Sequence, residues 1–406
     1  MTRVYADDNA LPTGWRTRQP GTAIWLFISV LYLSLLALFY SIYYIAPPLR
    51  QSSTWTYRQA FTTRFSKLAV NVVYQIGFSQ SLTLDPGSLG DRFVLMHPAA
   101  AECYRGPLAS KTTKPETIGG TWYPSPPPKP SPSPSSSTST TTTTTTDDGK
   151  SLIVLSFHGS AFLWLNGRPD DSGYTADLLN NTLGPNTRSL WIQYRLAGGD
   201  NPTPFPGPIQ DALTAYLYLI NDLHISPSRI VLAGDSAGAT MAVALLRYLA
   251  SFDPHSVPGH PLSDLPPPRA CLLFSPSVEY TFEGDAHAWD SHRNAPTDYC
   301  DGTLAAWGAR VFAPPDVVRF DDPYLSPALF PFATPVPIFV QVGGAEVLCD
   351  SAKGFVRNMA EVPGNRLQLL EMPGLPHDIY MIGMYLGWKE EQSEMIREAA
   401  RFAIAG

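Results

Sequence analysis

The hydrophobic positions of this chain fall into three patterns along its length. A charge-free apolar run covers residues 23–46, and a helix of this length crosses a hydrocarbon core of about 30 Å. From residue 150 onward, short apolar runs rich in β-branched residues alternate with helical patterns, as in a parallel sheet covered by helices. Residues 124–148 are Pro-, Ser- and Thr-rich and cannot form a core. The pattern predicts a membrane anchor followed by an α/β domain.

The apolar runs give the predicted elements in detail. Residues 52–84 mix apolar and basic positions and predict one or two amphipathic helices, and residues 279–326 interrupt the alternation where a lid would be inserted. Helices are predicted at 210–223, 239–249 and 389–404. Strands are predicted at 92–96, 117–123, 152–157, 189–194, 230–233, 270–274, 337–342 and 366–372.

These elements predict the domain organisation. We expect a disordered tail at 1–21, a transmembrane anchor at 22–47, cap or juxtamembrane helices at 48–110 and the α/β domain at 111–406. Residues 124–148 are expected to be a disordered insertion, interpreted as the long loop of a hairpin because strand patterns flank it. Residues 279–326 are the expected lid.

Composition and charge limit the classes of partner and cofactor that we expect for this chain. The 406 residues carry a net charge of −7 without a basic patch, which argues against nucleic acid as a partner. The four cysteines have no metal-type spacing and are too few for a disulfide scaffold, although the sequence allows one disulfide bridge. We therefore predict neither a metal nor a cofactor.

Residues 234–238 read Gly-Asp-Ser-Ala-Gly between a buried strand pattern and an apolar helix pattern. In this strand–turn–helix context, G-x-S-x-G forms a sharp turn that presents the serine hydroxyl at the N-terminus of a helix. The context predicts that Ser236 is a nucleophile. A glycine-rich turn with a solvent-facing serine is the alternative.

A serine nucleophile needs a base, and in α/β hydrolases the acid follows the serine and the histidine comes last. His377 lies after the last predicted core strand, in a strand–helix loop, and is the predicted base. The loop after the strand at 337–342 offers two carboxylates, Glu346 and Asp350, either of which can orient an imidazole. The oxyanion hole is predicted from the backbone N–H groups of Ser160, Ala161 and Ala237.

From about residue 120 to its C-terminus the chain resembles the hormone-sensitive-lipase-like family of α/β hydrolases. The resemblance implies a three-layer α/β-hydrolase fold with a mainly parallel sheet and a cap, and it favours Glu346, the first carboxylate of the acid motif, over Asp350. Ser160 and Ala161 replace two glycines of the family's oxyanion loop, which implies strain if that backbone has positive φ. The matching motifs are HGSAF at 158–162, YRLA at 194–197, QDAL at 210–213, GDSAG at 234–238, LFSP at 273–276, DPYLSP at 322–327, and the Glu346 and His377 loops.

With an N-terminal anchor, the chain is similar to the membrane-bound branch of that family, which includes arylacetamide deacetylase and fungal steryl acetyl hydrolase. This similarity implies a serine carboxylic-ester hydrolase that acts on a small lipophilic, short-acyl or acetyl ester, with its catalytic domain in the lumen of the endoplasmic reticulum. The basic residues flanking 23–46 do not select an orientation, and a glycosylation sequon at Asn180 is compatible with the lumen. A non-catalytic small-molecule binding protein on the same fold is the alternative.

Overall fold

A computed structural model describes residues 14–78, 80–128, 151–198, 201–252 and 265–405. Within them, eight strands form one sheet in the order β1-β2-β4-β3-β5-β6-β7-β8. The strands are Phe93–Met96 (β1), Ile118–Tyr123 (β2), Ile153–Phe157 (β3), Arg188–Gln193 (β4), Ile230–Asp235 (β5), Ala270–Phe274 (β6), Ile338–Gly343 (β7) and Leu367–Met372 (β8).

The sheet is parallel from β4 to β8, and β1 and β2 form an antiparallel edge. The hairpin interpretation of the insertion is therefore wrong, because β2 pairs with β4 and not with β3, the next strand in the chain. Residues 129–148 of that insertion lie outside the described residues. The expected boundary at residue 110 also divides the sheet, since β1 precedes it and pairs with β2.

Helices cover both faces of the sheet because the strand side chains alternate between two cores. The helices are Gly21–Tyr43 (α1), Tyr57–Ile76 (α2), Pro169–Leu183 (α3), Gly207–Leu217 (α4), Ala237–Ser251 (α5), Tyr280–Glu283 (α6), Ala286–Ser291 (α7), Gly302–Phe312 (α8), Cys349–Ala360 (α9), Ile379–Leu386 (α10) and Lys389–Ala405 (α11). Along β5, Ile230 and Leu232 join the core with α4, α5 and α9, whereas Val231 and Ala233 join the core with α3, α10 and α11. This confirms the predicted α/β-hydrolase fold class.

The apolar run at 23–46 forms α1, whose 23 residues are mostly exposed. By length and composition α1 is able to cross a membrane, and an N-terminal signal sequence has the same character. Residues 14–20 of the expected disordered tail contain a short helical turn, Trp15–Thr17, and the Arg16 guanidinium lies 4.0 Å from the Trp25 ring centre. Residues 1–13 of the tail lie outside the described residues.

Helix α2 follows α1 and packs against α8 and α10. It begins at a capping box, in which Thr56 and Gln59 bond reciprocally, and it ends at Gly77 with a φ of 60°. Residues 279–326 contain α6, α7 and α8. Both segments line the main cavity of the site described below.

The sequon at Asn180 offers no support for a lumenal domain in the folded protein. Asn180 lies in α3 and is 3% exposed, and its amide donates a hydrogen bond to Ser189 Oγ at 3.0 Å. A buried side chain with this partner is not available to carry a glycan. The four cysteines are all free thiols in the described structure, so the disulfide bridge that the sequence left possible is not formed.

Candidate active site

Ser236 occupies a sharp turn between β5 and α5. Its φ of 48° and ψ of −118° are strained for a residue with a side chain. The flanking glycines are required by close packing, since a Cβ on Gly234 would lie 2.4 Å from Gly238 O, and one on Gly238 would lie 2.0 Å from Phe157 O. The turn is fixed by Ser236 N–H, which donates to Phe274 O at 3.0 Å. This packing holds the Ser236 hydroxyl at the carboxyl edge of the parallel strands.

Three distant segments meet at that edge. The Ser236 hydroxyl lies 3.0 Å from His377 Nε2, and His377 Nδ1 lies 3.1 Å from Glu346 Oε2. His377 is 3% exposed and Glu346 is completely buried. If Nδ1–H donates to the carboxylate, Nε2 is left to accept the serine proton, which is the tautomer that a general base requires.

The two candidate acids have different surroundings. Glu346 reaches His377 and also accepts a hydrogen bond from Gly343 N–H at 3.2 Å. Asp350 lies in the first turn of α9, faces solvent and pairs with Arg293 and with His292 Nε2. Arg293 and His292 outweigh desolvation and lower the pKa of Asp350. The structure therefore brings Glu346, and not Asp350, next to the predicted base.

The pKa values of His377 and Glu346 depend on the burial of both side chains and on the charge of each partner. Burial alone would lower the pKa of His377, but the hydrogen bond and negative charge of Glu346 outweigh it and raise that pKa to about 9. Burial also raises the pKa of Glu346, against the opposing hydrogen bond and charge of His377. The free site thus favours the protonated imidazole, which must lose its proton before it can act as a base.

The predicted oxyanion residues line the same cavity as Ser236 and His377. Ser160 and Ala161 have φ values of 80° and 53°, and Phe162 continues with 61°. Because these three residues carry side chains, their positive φ values make the loop strained, as expected for side chains in place of glycines. Gly159 N–H is already used, because it donates to Asp235 Oδ2 at 2.7 Å.

Buried contacts hold this strained loop in place. Tyr194 O–H donates to the carbonyls of His158 and Gly159 at 2.9 and 3.0 Å, and its ring stacks on His158 at 4.2 Å. Burial lowers the pKa of His158 to about 4 and keeps it neutral. His158 therefore serves loop structure rather than proton transfer.

Two buried carboxyl groups beside the site were missed by the sequence analysis. Asp235 precedes Ser236 and Asp378 follows His377, and both are nearly inaccessible to solvent. Burial and the charge of Asp378 raise the pKa of Asp235 far above its usual range. Burial raises the pKa of Asp378 to about 7, against the opposing charge of His377. Their adjacency to Ser236 and His377 was the available signal, but only the fold shows that they share one buried region.

The cavity at the site has a volume of about 370 Å³ and is mainly apolar. Helices from the expected cap and lid contribute much of its wall, together with the loop that follows β3 and helix α10. This is the shape and chemistry of a site for a small apolar ligand with a few polar anchor points. Representative wall residues are Val70, Trp164, Trp289, Leu304, Met381 and Ile382.

Among the described residues, no group of three or more His, Cys, Asp or Glu side chains is arranged to hold a metal ion. His287 and His292 lie on and just after α7. His292 contacts Asp350 at the surface, away from the Ser236 cavity.

The fold and the site geometry define an α/β hydrolase. A family model described as the α/β hydrolase fold matches residues 154–381, more than half of the chain, and the chain belongs to that family. It is 31% identical to an acetyl-hydrolase of Streptomyces hygroscopicus over 57% of this chain and 68% of that protein. It is 26% identical to an ethyl acetate hydrolase of Pseudomonas putida over 59% of this chain and 72% of that protein.

The solved structures agree in fold. An esterase from the bacterial hormone-sensitive lipase family matches with a TM-score of 0.55 and 20% identity, over 86% of this chain and 98% of that one. The expected resemblance to hormone-sensitive-lipase-like hydrolases is confirmed. The family and the relatives together support the predicted enzyme class, a carboxylic ester hydrolase.

Proposed function

We propose that this chain is a serine esterase that removes short acyl groups, acetyl groups above all, from lipophilic esters. The observation that carries the proposal is the continuous contact from Ser236 through His377 to Glu346 at the wall of an apolar cavity. The preference for acetyl esters is supported by the relatives, which are named as an acetyl-hydrolase and an ethyl acetate hydrolase. The apolar wall suits the lipophilic alcohol.

In the proposed reaction, Ser236 Oγ attacks the ester carbonyl while His377 Nε2 takes the hydroxyl proton. The N–H groups of Ser160, Ala161 and Ala237 hold the developing oxyanion, and Glu346 stabilises the imidazolium. The imidazolium then gives its proton to the leaving alcohol. Water, deprotonated by the same imidazole, hydrolyses the acyl-enzyme and restores the serine.

A fluorophosphonate probe and an ester panel test the activity. We expect the probe to label the wild-type protein and to leave Ser236→Ala unlabelled, because only an activated serine attacks the phosphorus. Rates with acetate, butyrate and long-chain esters of one alcohol should fall with acyl length. A folded wild-type protein that neither reacts with the probe nor hydrolyses any ester is a binding protein instead.

We further propose that α1 anchors the enzyme to a membrane, with α2 and residues 279–326 as its cap and lid, and that the catalytic domain faces the lumen of the endoplasmic reticulum. The exposed apolar surface of α1 supports the anchor, and the lumenal side rests on the resemblance alone.

Because the native sequon is buried, a newly introduced sequon tests which side of the membrane the catalytic domain faces. Glu361→Asn together with Pro363→Thr creates a sequon on an exposed turn, and a glycan-dependent mass shift in eukaryotic cells is expected.

A further inference from the structure

Residues 294–301, here called the bridging loop, contact the loop that carries Glu346. Asn294 Nδ2 donates to Gly344 O at 3.1 Å and to Glu346 O at 2.8 Å. Thr297 Oγ1 donates to Ala345 O at 2.8 Å. In return, Val347 N–H donates to Asp298 Oδ2 at 2.7 Å. Four hydrogen bonds therefore fix the backbone on both sides of the acid.

Lys67 of α2 holds the opposite side of the bridging loop. Its ammonium donates to Ala295 O at 2.7 Å, and to Asp298 O and Cys300 O at 3.1 Å each. These three bonds satisfy all three N–H donors of the lysine. The ammonium therefore acts as a bound cation around which the loop is folded, and it comes from a helix more than two hundred residues away in sequence.

The charges around this lysine suit that arrangement. Burial lowers the pKa of Lys67, and the nearby Asp298, Asp301, Asp290 and Cys300 oppose the shift. The Asp298 carboxylate is completely buried and accepts Cys300 N–H as well as Val347 N–H. The positive charge of Lys67 offsets part of its negative charge in a region that water does not reach.

We propose that Lys67 is a positioning residue, which sets the orientation of Glu346 by clamping the bridging loop. The chain of contacts runs from Lys67 through the carbonyls of 295–300 to Asp298, then through Val347 N–H to the adjacent Glu346 and so to His377. Lys67 does not line the cavity, and its hydrogen bonds go to the bridging loop and not to Ser236, His377 or Glu346. The proposal rests on the serine-esterase function proposed above.

The clamp also gives α2 a role beyond lining the cavity. Without the ammonium, three carbonyls lose their donor and the bridging loop loses the group it is folded around. The expected result is a shift of the Glu346 loop, and a displacement of about 1 Å in such a constellation costs on the order of 10²-fold in rate. Substrate affinity should change less than the rate, because Tyr299 and Cys300 are the bridging-loop residues that line the cavity and the other wall residues are kept.

Lys67→Met in the full-length protein tests this, since methionine retains the stem of the side chain and removes the ammonium. With p-nitrophenyl acetate we expect kcat to fall about 10²-fold with a smaller change in KM. Hydrogen exchange of the Val347 amide should become faster, while exchange in the central strands stays unchanged. If Lys67→Met does not fold, Lys67→Gln, which retains two N–H donors, should show the same changes in smaller degree.

Two control variants separate the clamp from general effects. Asn71→Ala removes the bond from α2 to Asp301, at the end of the loop nearer α8, and Lys353→Met removes an exposed lysine. Both should retain the wild-type kcat. The proposal is overturned if Lys67→Met is folded with wild-type kcat and Val347 exchange, or if Asn71→Ala loses as much activity. An inactive wild-type protein would instead refute the proposed function, and the exchange of Val347 would still test the clamp.

Discussion

Glu346 and Asp350 stand four residues apart, one in the loop before α9 and one in the first turn of α9, and their neighbours give them different chemistry. The buried Glu346 contacts the base, whereas the exposed Asp350 contacts Arg293. We predict that Glu346→Gln lowers kcat by about 10⁴-fold, the size of effect seen when a triad acid becomes an amide. Asp350→Asn should leave kcat unchanged in the same assay. Equal losses in the two variants would contradict the assignment of the acid.

The raised pKa of His377 predicts how activity depends on pH. Only the neutral imidazole accepts the serine proton, and Glu346 raises the pKa of His377 to about 9. The rate constant kcat/KM should therefore increase with pH through an apparent pKa well above the ordinary value of about 6.5. In Glu346→Gln that apparent pKa should fall, because the stabilising charge is gone. A pH profile of both proteins measures the difference, and a wild-type midpoint at or below 6.5 would contradict it.

The buried carboxyl of Asp378 predicts how stability depends on pH. Its pKa is raised to about 7, against about 3.9 in an unfolded chain. The native state then binds more protons than the unfolded state between these values, so the free energy of unfolding falls as pH rises from 4 to 7. Asp378→Asn resembles the protonated acid and should flatten this dependence. Thermal melts at pH 5 and pH 8 test it, and an equal pH dependence in both proteins would count against a raised pKa at Asp378.

At the scale of elements, α8 is in direct contact with the strained loop that contains Ser160 and Ala161. A Cβ on Gly308 of α8 would lie 2.5 Å from Ala161 Cβ and 2.8 Å from Ala161 O. Gly308→Ala should therefore push the strained loop and lower kcat by at least tenfold, on the order of 1.4 kcal/mol in the barrier, without unfolding the protein. Combining it with Ala161→Gly removes one of the two clashes and should recover part of the loss.

A matched helix glycine controls for the substitution itself. A Cβ on Gly354 of α9 would meet only Arg357 Nη2 at 3.8 Å, so Gly354→Ala should leave kcat unchanged and stabilise the helix by up to about 1 kcal/mol. Steady-state kinetics and thermal melts on the two alanine variants separate the effects. Wild-type kcat in Gly308→Ala would show that the loop tolerates the displacement.

Local sequence patterns predicted the elements better than their arrangement. The β5–α5 turn was predictable because its two glycines and serine record close packing within one short segment. The pairing of β2 with β4 was not, because a strand pattern does not encode its neighbour in the sheet. Motif and order predicted Ser236 and His377 as site residues, but the contacts of Asp378 and Lys67 are made with partners that only the folded chain brings near them.

At the scale of the whole molecule, α2 connects the long apolar helix α1 to the wall of the cavity at Ser236. Tyr44, directly after α1, is buried, and its carbonyl and hydroxyl accept bonds from Arg50 and Arg64 at 3.0 and 3.2 Å. Trp55 is also buried, and its indole N–H donates to Gly374 O at 2.7 Å. The buried core therefore begins at about residue 44, while α1 packs on α2 and keeps most of its side chains exposed.

This boundary predicts that the anchor is separable from the chemistry and that α2 is not. A form that starts at residue 44 should be recovered from the aqueous fraction and hydrolyse p-nitrophenyl acetate with the kcat of the full chain, since it keeps Lys67, Val70 and every contact of the triad. A form that starts at residue 77 loses the clamp and one wall of the cavity, and it should be inactive.

On an ester carried in lipid vesicles, the form starting at residue 44 should be slower than the full-length protein, because it no longer concentrates at the lipid surface. Equal rates for these two proteins on vesicles would show that α1 contributes nothing to substrate delivery.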